Sequence, residues 1–107
     1  MKSDQTRGQL DALILAALAH GPAHGYAVIV RLREQSDGAF ALPEGTIYPA
    51  LHRLEAGGFV VSTQEAVQGR RRRIYALTAA GQAKLAEQRA EWRRFSALVT
   101  RMIGAPA

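Results

Sequence analysis

Thr46, Tyr48, His52 and Arg53 bring a hydroxyl, a phenol, an imidazole and a guanidinium into one short stretch, and four consecutive arginines follow at 70–73. Guanidinium groups neutralise phosphates, and polar side chains on a helix donate to base edges in a DNA groove. Arg53 has the fork geometry that pairs with guanine O6 and N7. The competing chemistries are weaker. His20 and His24 are four apart, but Gly21-Pro22 between them breaks the helix that a metal pair at that spacing needs. No third ligand is evident, and zero cysteines exclude thiolate sites and disulfides. No Ser/His/acid grouping would activate a nucleophile, and no glycine-rich loop would cradle a nucleotide. The residues point to binding, with no enzyme activity, cofactor or metal.

The stretch from Pro43 to Phe59 must present the first group. Ile47, Ala50, Leu51 and Leu54 fall at i, i+3, i+4 and i+7, one buried helical face. Thr46, Pro49, His52 and Arg53 turn away from that face, with Tyr48 on its flank. Gly57-Gly58 ends the helix, because glycine accepts the left-handed cap conformation. Pro49 is tolerated only near a first turn, so the helix starts between Pro43 and Thr46.

Two helices precede it. Leu10, Leu13, Ile14, Ala17 and Leu18 predict a first helix over Gln9 to Ala19, stopped by His20-Gly21-Pro22. A second runs from about His24 to Ser36, with Val28, Ile29 and Leu32 inside and Arg31, Arg33 and Glu34 outside. Three helices on short connections resemble a helix-turn-helix unit. Beyond Gly58, Phe59-Val60-Val61 and the run Arg70 to Leu77 predict a β-hairpin around a polar loop, although Gln68-Gly69 is not a strong two-residue turn. Helices followed by a hairpin with a basic tip make a winged helix.

Thr78 caps a long final helix, from about Ala79 to Ile103. Leu85, Gln88, Trp92, Phe95, Val99 and Met102 alternate at spacings of 3 and 4, a heptad seam. So much apolar surface on one helix suits a second copy of itself, with Gln88 fixing register. The fold class is therefore mainly α with a small β-hairpin. Residues 1–78 form a winged helix-turn-helix domain, and residues 79–107 a C-terminal dimerisation helix.

Composition bounds the function. At 107 residues, 48% hydrophobic and 21% charged, this is one globular domain. No apolar run is long enough to span a membrane, and Met1 to Gly8 lacks the apolar core of a secretory signal. The chain reads as soluble and cytoplasmic. Residues 1–44 carry four basic and five acidic groups, whereas residues 45–107 carry ten basic and four acidic. The whole net charge of +5 thus comes from the part holding the third helix and the wing, which suits a polyanionic partner.

Three motifs in register carry a family resemblance over about residues 8 to 95. Gly21-Pro22-Ala23-His24-Gly25-Tyr26 is similar to the loop-to-helix element of PadR-type transcriptional regulators. Gly45-Thr46-Ile47-Tyr48-Pro49-Ala50-Leu51-His52-Arg53-Leu54-Glu55 resembles their recognition helix, and Gly69 to Gly81 their wing and the entry to the last helix. The short C-terminus resembles the compact branch with a single dimerisation helix. The resemblance implies a homodimeric winged helix-turn-helix repressor that binds double-stranded operator DNA and responds to a signal. It also implies a phosphate contact for the Tyr48 hydroxyl. Some members bind flat aromatic compounds between paired tryptophans at the dimer centre, and Trp92 is similar in position.

Each residue also has a plainer role. Tyr48 can pack on the second helix, and Arg53 can pair with Glu34 or another acid on the surface. The start of the second helix, with Tyr26, either holds a phosphate at its exposed N–H groups or forms a structural turn. Trp92 either packs in the seam with Phe95 or receives an aromatic effector. Strand alternation puts Arg71 and Arg73 on one face and Arg70 and Arg72 on the other. Arg70 and Arg71, near the tip, are the best placed for phosphates, with Arg72 a further candidate. A winged-helix module that binds another protein is the alternative function.

Overall fold

The computed structural model describes residues 2–104, with the side chains of residues 2–7 and of Val67 outside that description. The elements run α1 (Lys2–Leu18), β1 (Ala23–His24), α2 (Gly25–Gln35), α3 (Glu44–Ala56), β2 (Val60–Val67), β3 (Arg70–Leu77) and α4 (Ala79–Ile103). Ile14, Leu15, Ala17 and Leu18 of α1, Val28, Ile29 and Leu32 of α2, and Ile47, Ala50, Leu51 and Leu54 of α3 meet in one core. Val60 and Tyr75 close it from the wing, and Leu85 from α4. This is the expected mainly helical winged fold.

The boundaries of α3 follow its sequence signals. Pro43 is the N-cap, its backbone carbonyl accepting from Thr46 and Ile47, and Pro49 is accommodated inside the helix. At the other end the left-handed residue is Gly58, at φ 83, while Gly57 keeps a right-handed conformation. His24 caps α2 by accepting the Ala27 N–H, and Thr78 caps α4 by accepting that of Gly81. Such caps satisfy amides that the helix itself leaves unpaired.

Four features depart from the sequence expectations. Helix α1 begins at Lys2 rather than near Gln9, because helical backbone continues through polar residues that carry no apolar period. The wing is longer than expected: β2 extends through the polar stretch to Val67 and pairs with β3 in continuous antiparallel register, from Val60↔Leu77 to Val67↔Arg70. Only Gln68-Gly69 remains as the turn, with φ of 51 and 77, the left-handed pair that matches the twist of a two-residue hairpin. Finally, the sheet has three strands in the order β1-β3-β2, because Ala23 and His24 pair with Tyr75 and Ile74. That pairing fixes the start of α2 against the root of the wing.

The fourth helix behaves differently along its length. Leu85 is 4% exposed within its own chain, which corrects the expectation that it faces a partner. Gln88 is half-buried, its Nε2 donating to the Gly8 carbonyl of α1 at 3.4 Å. The cause is the same in both cases: α4 starts against α1 and the end of β3, so the first part of the seam is spent inside the protomer. Trp92, Phe95, Leu98, Met102 and Ile103 are exposed, and Val99 is half-buried. Leu98 joins this apolar surface although the heptad spacing omitted it.

Candidate nucleic-acid interface

The outer face of α3 is set by which residues the core takes. With Ile47, Ala50, Leu51 and Leu54 inward, the opposite strip of Gly45, Pro49, His52 and Ala56 is exposed. Only His52 on that strip carries a polar side chain. Thr46 and Arg53 flank it on one side, and Tyr48 and Glu55 on the other, all half-buried.

Arg53 is held rather than free. Its Nη2 lies 2.6 Å from Asp11 Oδ1 on α1, an ion pair across 42 residues of sequence. Its Nε is buried without a partner among the described residues. In this geometry Arg53 takes its ion-pairing role and ties α3 to α1. Asp11, and not Glu34, is the acid it finds.

Tyr48 occupies the opposite flank. Its ring lies over Gly25, where a Cβ would overlap the phenol, so α2 and α3 approach this closely only because residue 25 is glycine. Packing and contact are thus not alternatives for Tyr48, because the ring packs on α2 while its edge lines a concave surface. That groove, about 350 Å³, is lined by His24, Gly25 and Tyr26 from the β1–α2 junction, Glu44 and Tyr48 from α3, and Arg71, Arg72 and Arg73 from β3. Tyr26 is 51% exposed at its edge. Three guanidinium groups and two phenols around one hollow, against one carboxylate, suit a phosphate chain.

The wing arginines divide by task. Arg70 and Arg71 are exposed toward the hairpin tip. Arg72 is half-buried, its Nη1 2.9 Å from His24 Nε2. Arg73 Nη1 donates to Ser62 Oγ at 2.9 Å, and Ser62 Oγ donates to Glu55 Oε2 at 2.6 Å. That chain links the wing to the C-terminal turn of α3. Sequence reasoning left Arg73, His24 and Glu44 out of the candidate set. Arg73 shares the strand face of Arg71 but was passed over as the arginine farthest from the tip, and the pairing of β1 with β3 that delivers His24 spans some fifty residues with no local signal. Burial, then the charges of Arg72 and Arg31, hold the His24 pKa below its ordinary value.

Of the expected DNA-contacting residues, the structure brings Tyr26, Tyr48, Arg71 and Arg72 around one groove. His52 stands on the adjoining outer strip, Arg70 lies toward the tip, and Arg53 lies on the flank facing α1, with Thr46 on the same side of the strip. Among the described residues no group of three or more His, Asp or Glu could hold a metal ion, and no helix is long and apolar enough to cross a membrane.

The comparisons agree with this architecture. The model of the transcriptional regulator PadR-like family matches residues 14–87. A PadR-like transcription factor from Bacteroides fragilis superposes with a TM-score of 0.82 at 31% identity, covering 94% of this chain and 96% of its own. A PadR family transcription regulator from Clostridium difficile gives 0.79 at 32% identity, covering 88% and 97%. A transcriptional regulator of Mycobacterium tuberculosis is 51% identical over 57 residues, so the match spans about half of either chain, 53% of each. The chain belongs to the PadR-like family of transcriptional regulators and is a regulator rather than an enzyme.

Proposed function

We propose that this regulator is a cytoplasmic homodimer that binds double-stranded operator DNA and represses transcription until an effector releases it. One observation carries the DNA reading: Tyr26, Tyr48, Arg71 and Arg72 surround a single basic groove beside the outer strip of α3. In this reading His52 approaches base edges in the major groove, while the groove residues and Arg70 hold backbone phosphates. Thr46 and Arg53 border the same surface, and Arg53 reads a base only after leaving Asp11. The part before α4 binds DNA, and α4 is the dimerising helix.

The dimer is supported by the exposed apolar run of Trp92, Phe95, Leu98, Met102 and Ile103, continued by half-buried Val99. A two-fold pairing of α4 sets two recognition helices to meet half-sites about 34–36 Å apart. The Trp92 ring lies 5.8 Å from that of Phe95 between centroids, tilted by 40°, and its indole is exposed and can meet a flat aromatic effector.

Fluorescence anisotropy on the duplex upstream of the coding region, against scrambled DNA over a salt series, tests the reading. Binding well above the scrambled control, saturating at one or two dimers per site, is expected. Equal weak binding to both with a steep salt slope leaves only a basic surface. Trp92 is the sole tryptophan, so quenching of intrinsic fluorescence by added planar aromatics reports directly on the effector proposal.

A further inference from the structure

His24 faces two demands that one neutral imidazole does not meet together. Its Nδ1 is the acceptor that caps α2, taking the Ala27 N–H at 3.2 Å. Its Nε2 lies 2.9 Å from Arg72 Nη1, a group that can only donate. A neutral ring has a single acceptor nitrogen. The tautomer that keeps the cap aims Nε2–H at a guanidinium, and the tautomer that receives Arg72 turns an N–H against Ala27. The imidazolium is worse, since both nitrogens then donate. Burial and the charges of Arg72 and Arg31 accordingly favour the neutral ring. The groove in front of this pair offers Glu44 as its one carboxylate, which forms no ion pair with Arg72 among the described residues.

We propose that a backbone phosphate of bound duplex DNA is the missing acceptor, with Arg72 and His24 Nε2–H converging on one of its oxygens, so that His24 is a phosphate ligand whose protonation is coupled to DNA binding. This rests on the DNA-binding reading above. With the phosphate present, the Nε2–H tautomer satisfies the α2 cap and the phosphate at once, and the imidazolium, which gives up the Ala27 bond, is stabilised by pairing its charge with the phosphate. The phosphate charge also offsets those of Arg72 and Arg31, so the His24 pKa rises on binding. The free value lies below the ordinary one and the bound value above the free one, so binding takes up protons. Affinity therefore grows as pH falls from the bound pKa toward the free pKa, and is flat above both. A rise of one unit gives a gain of at most about tenfold per groove.

The charged and titratable groups around the ring are Arg31 and Tyr26 from α2, Glu44 and Tyr48 from α3, and Arg71, Arg72 and Arg73 from β3. None is of a type that ordinarily titrates between about pH 5 and pH 8, so the proton uptake belongs to His24.

The test is anisotropy of the full chain on a random-sequence duplex at low, constant ionic strength, between about pH 5 and pH 8. A random duplex suffices because phosphate contacts do not depend on sequence. Wild type is compared with His24→Asn and Arg72→Gln, with folding checked by circular dichroism. Asparagine caps a helix and its amide donates to a phosphate, but it does not titrate. Wild type should tighten several-fold toward the acid end of that range, and His24→Asn should bind with little pH dependence. Arg72→Gln should lower the salt slope by about one. Wild-type pH dependence surviving in His24→Asn would assign the proton to His20 or His52 and overturn the proposal. A flat wild-type profile overturns it too, while leaving the DNA reading in place. No binding at any pH removes both. Should the asparagine variant unfold, NMR titration of wild-type His24 decides, since its pKa must be higher with duplex than without.

Discussion

Leu85 and Trp92 stand seven residues apart on one face of α4, yet one is 4% exposed and the other 63%. The first half of the helix lies against α1 and the end of β3, with Leu85 in the shared core and Gly81 against the backbone of Phe59. A Cβ at Gly81 would collide with the Phe59 carbonyl oxygen, so this end is set down as closely as backbone allows. The second half runs on with Trp92, Phe95, Leu98, Met102 and Ile103 uncovered, and the molecule is accordingly 54 Å long against 28 and 26 Å in its other dimensions. A heptad period shows that an apolar face exists. It does not show whether that face is covered by the chain's own domain or by another copy.

Substitutions in the two halves should therefore fail in different ways. Leu85→Ala is expected to have the largest effect, lowering protomer stability by about 2–5 kcal/mol through lost burial and a residual cavity. Thermal unfolding measures it, and a change within error would mean that α4 is not anchored as described. Trp92→Ala should cost little in protomer folding but weaken dimerisation by about 2 kcal/mol or more, as for a central aromatic anchor. Sedimentation equilibrium reads this directly. A Trp92→Ala protein that dimerises like wild type would place the interface elsewhere and remove the basis of the proposed half-site spacing.

How far this comparison was legible in the sequence depends on how local each signal is. The ends of α3, the cap at Thr78 and the start of β3 were visible because proline, glycine and capping residues act on their own neighbours, whereas the side-chain cap at His24 was read only as a helix start. Strand β1, the Asp11–Arg53 ion pair and the burial of Leu85 were not visible. Each depends on a contact between distant stretches whose partner carries no local mark. The wing turn was missed for another reason, because Gln68 adopts a positive φ that its residue type disfavours and that the long β2–β3 register imposes. The outward residues of α3 were read by type and face, but the periodicity gave no way to know that Asp11 stands beside Arg53.

The junction between winged body and arm is Thr78. Its hydroxyl accepts the Gly81 N–H at 3.0 Å and donates to the Gly58 carbonyl at 2.6 Å, joining the start of α4 to the end of α3. Thr78→Ala loses both bonds and should cost about 1 kcal/mol, the usual value of an N-cap. Thr78→Ser keeps the hydroxyl and should recover most of that. Equal losses in the two variants would assign the effect to the methyl group and not to the cap.

Gln88 marks the line between the covered and uncovered halves, and its substitution is the finest test of where that line falls. Its Nε2 makes one long bond to the Gly8 carbonyl, and its Oε1 is buried with no partner among the described residues. A buried, unpaired amide oxygen carries a desolvation cost that an apolar side chain of similar size does not. The Gly8 carbonyl is at an exposed residue and regains water when the bond is lost. Gln88→Leu should therefore be neutral or stabilise the protomer by up to about 1 kcal/mol. The heptad reading gives Gln88 a different task, as the polar seam position that fixes the register of two paired helices. That task predicts a dimer whose stoichiometry or helix register changes on substitution, even while the protomer grows more stable. Sedimentation and thermal melts of the same sample separate the two. An unchanged dimer with a raised melting point assigns Gln88 to the winged body, and an altered assembly moves the boundary of the interface one turn toward the domain.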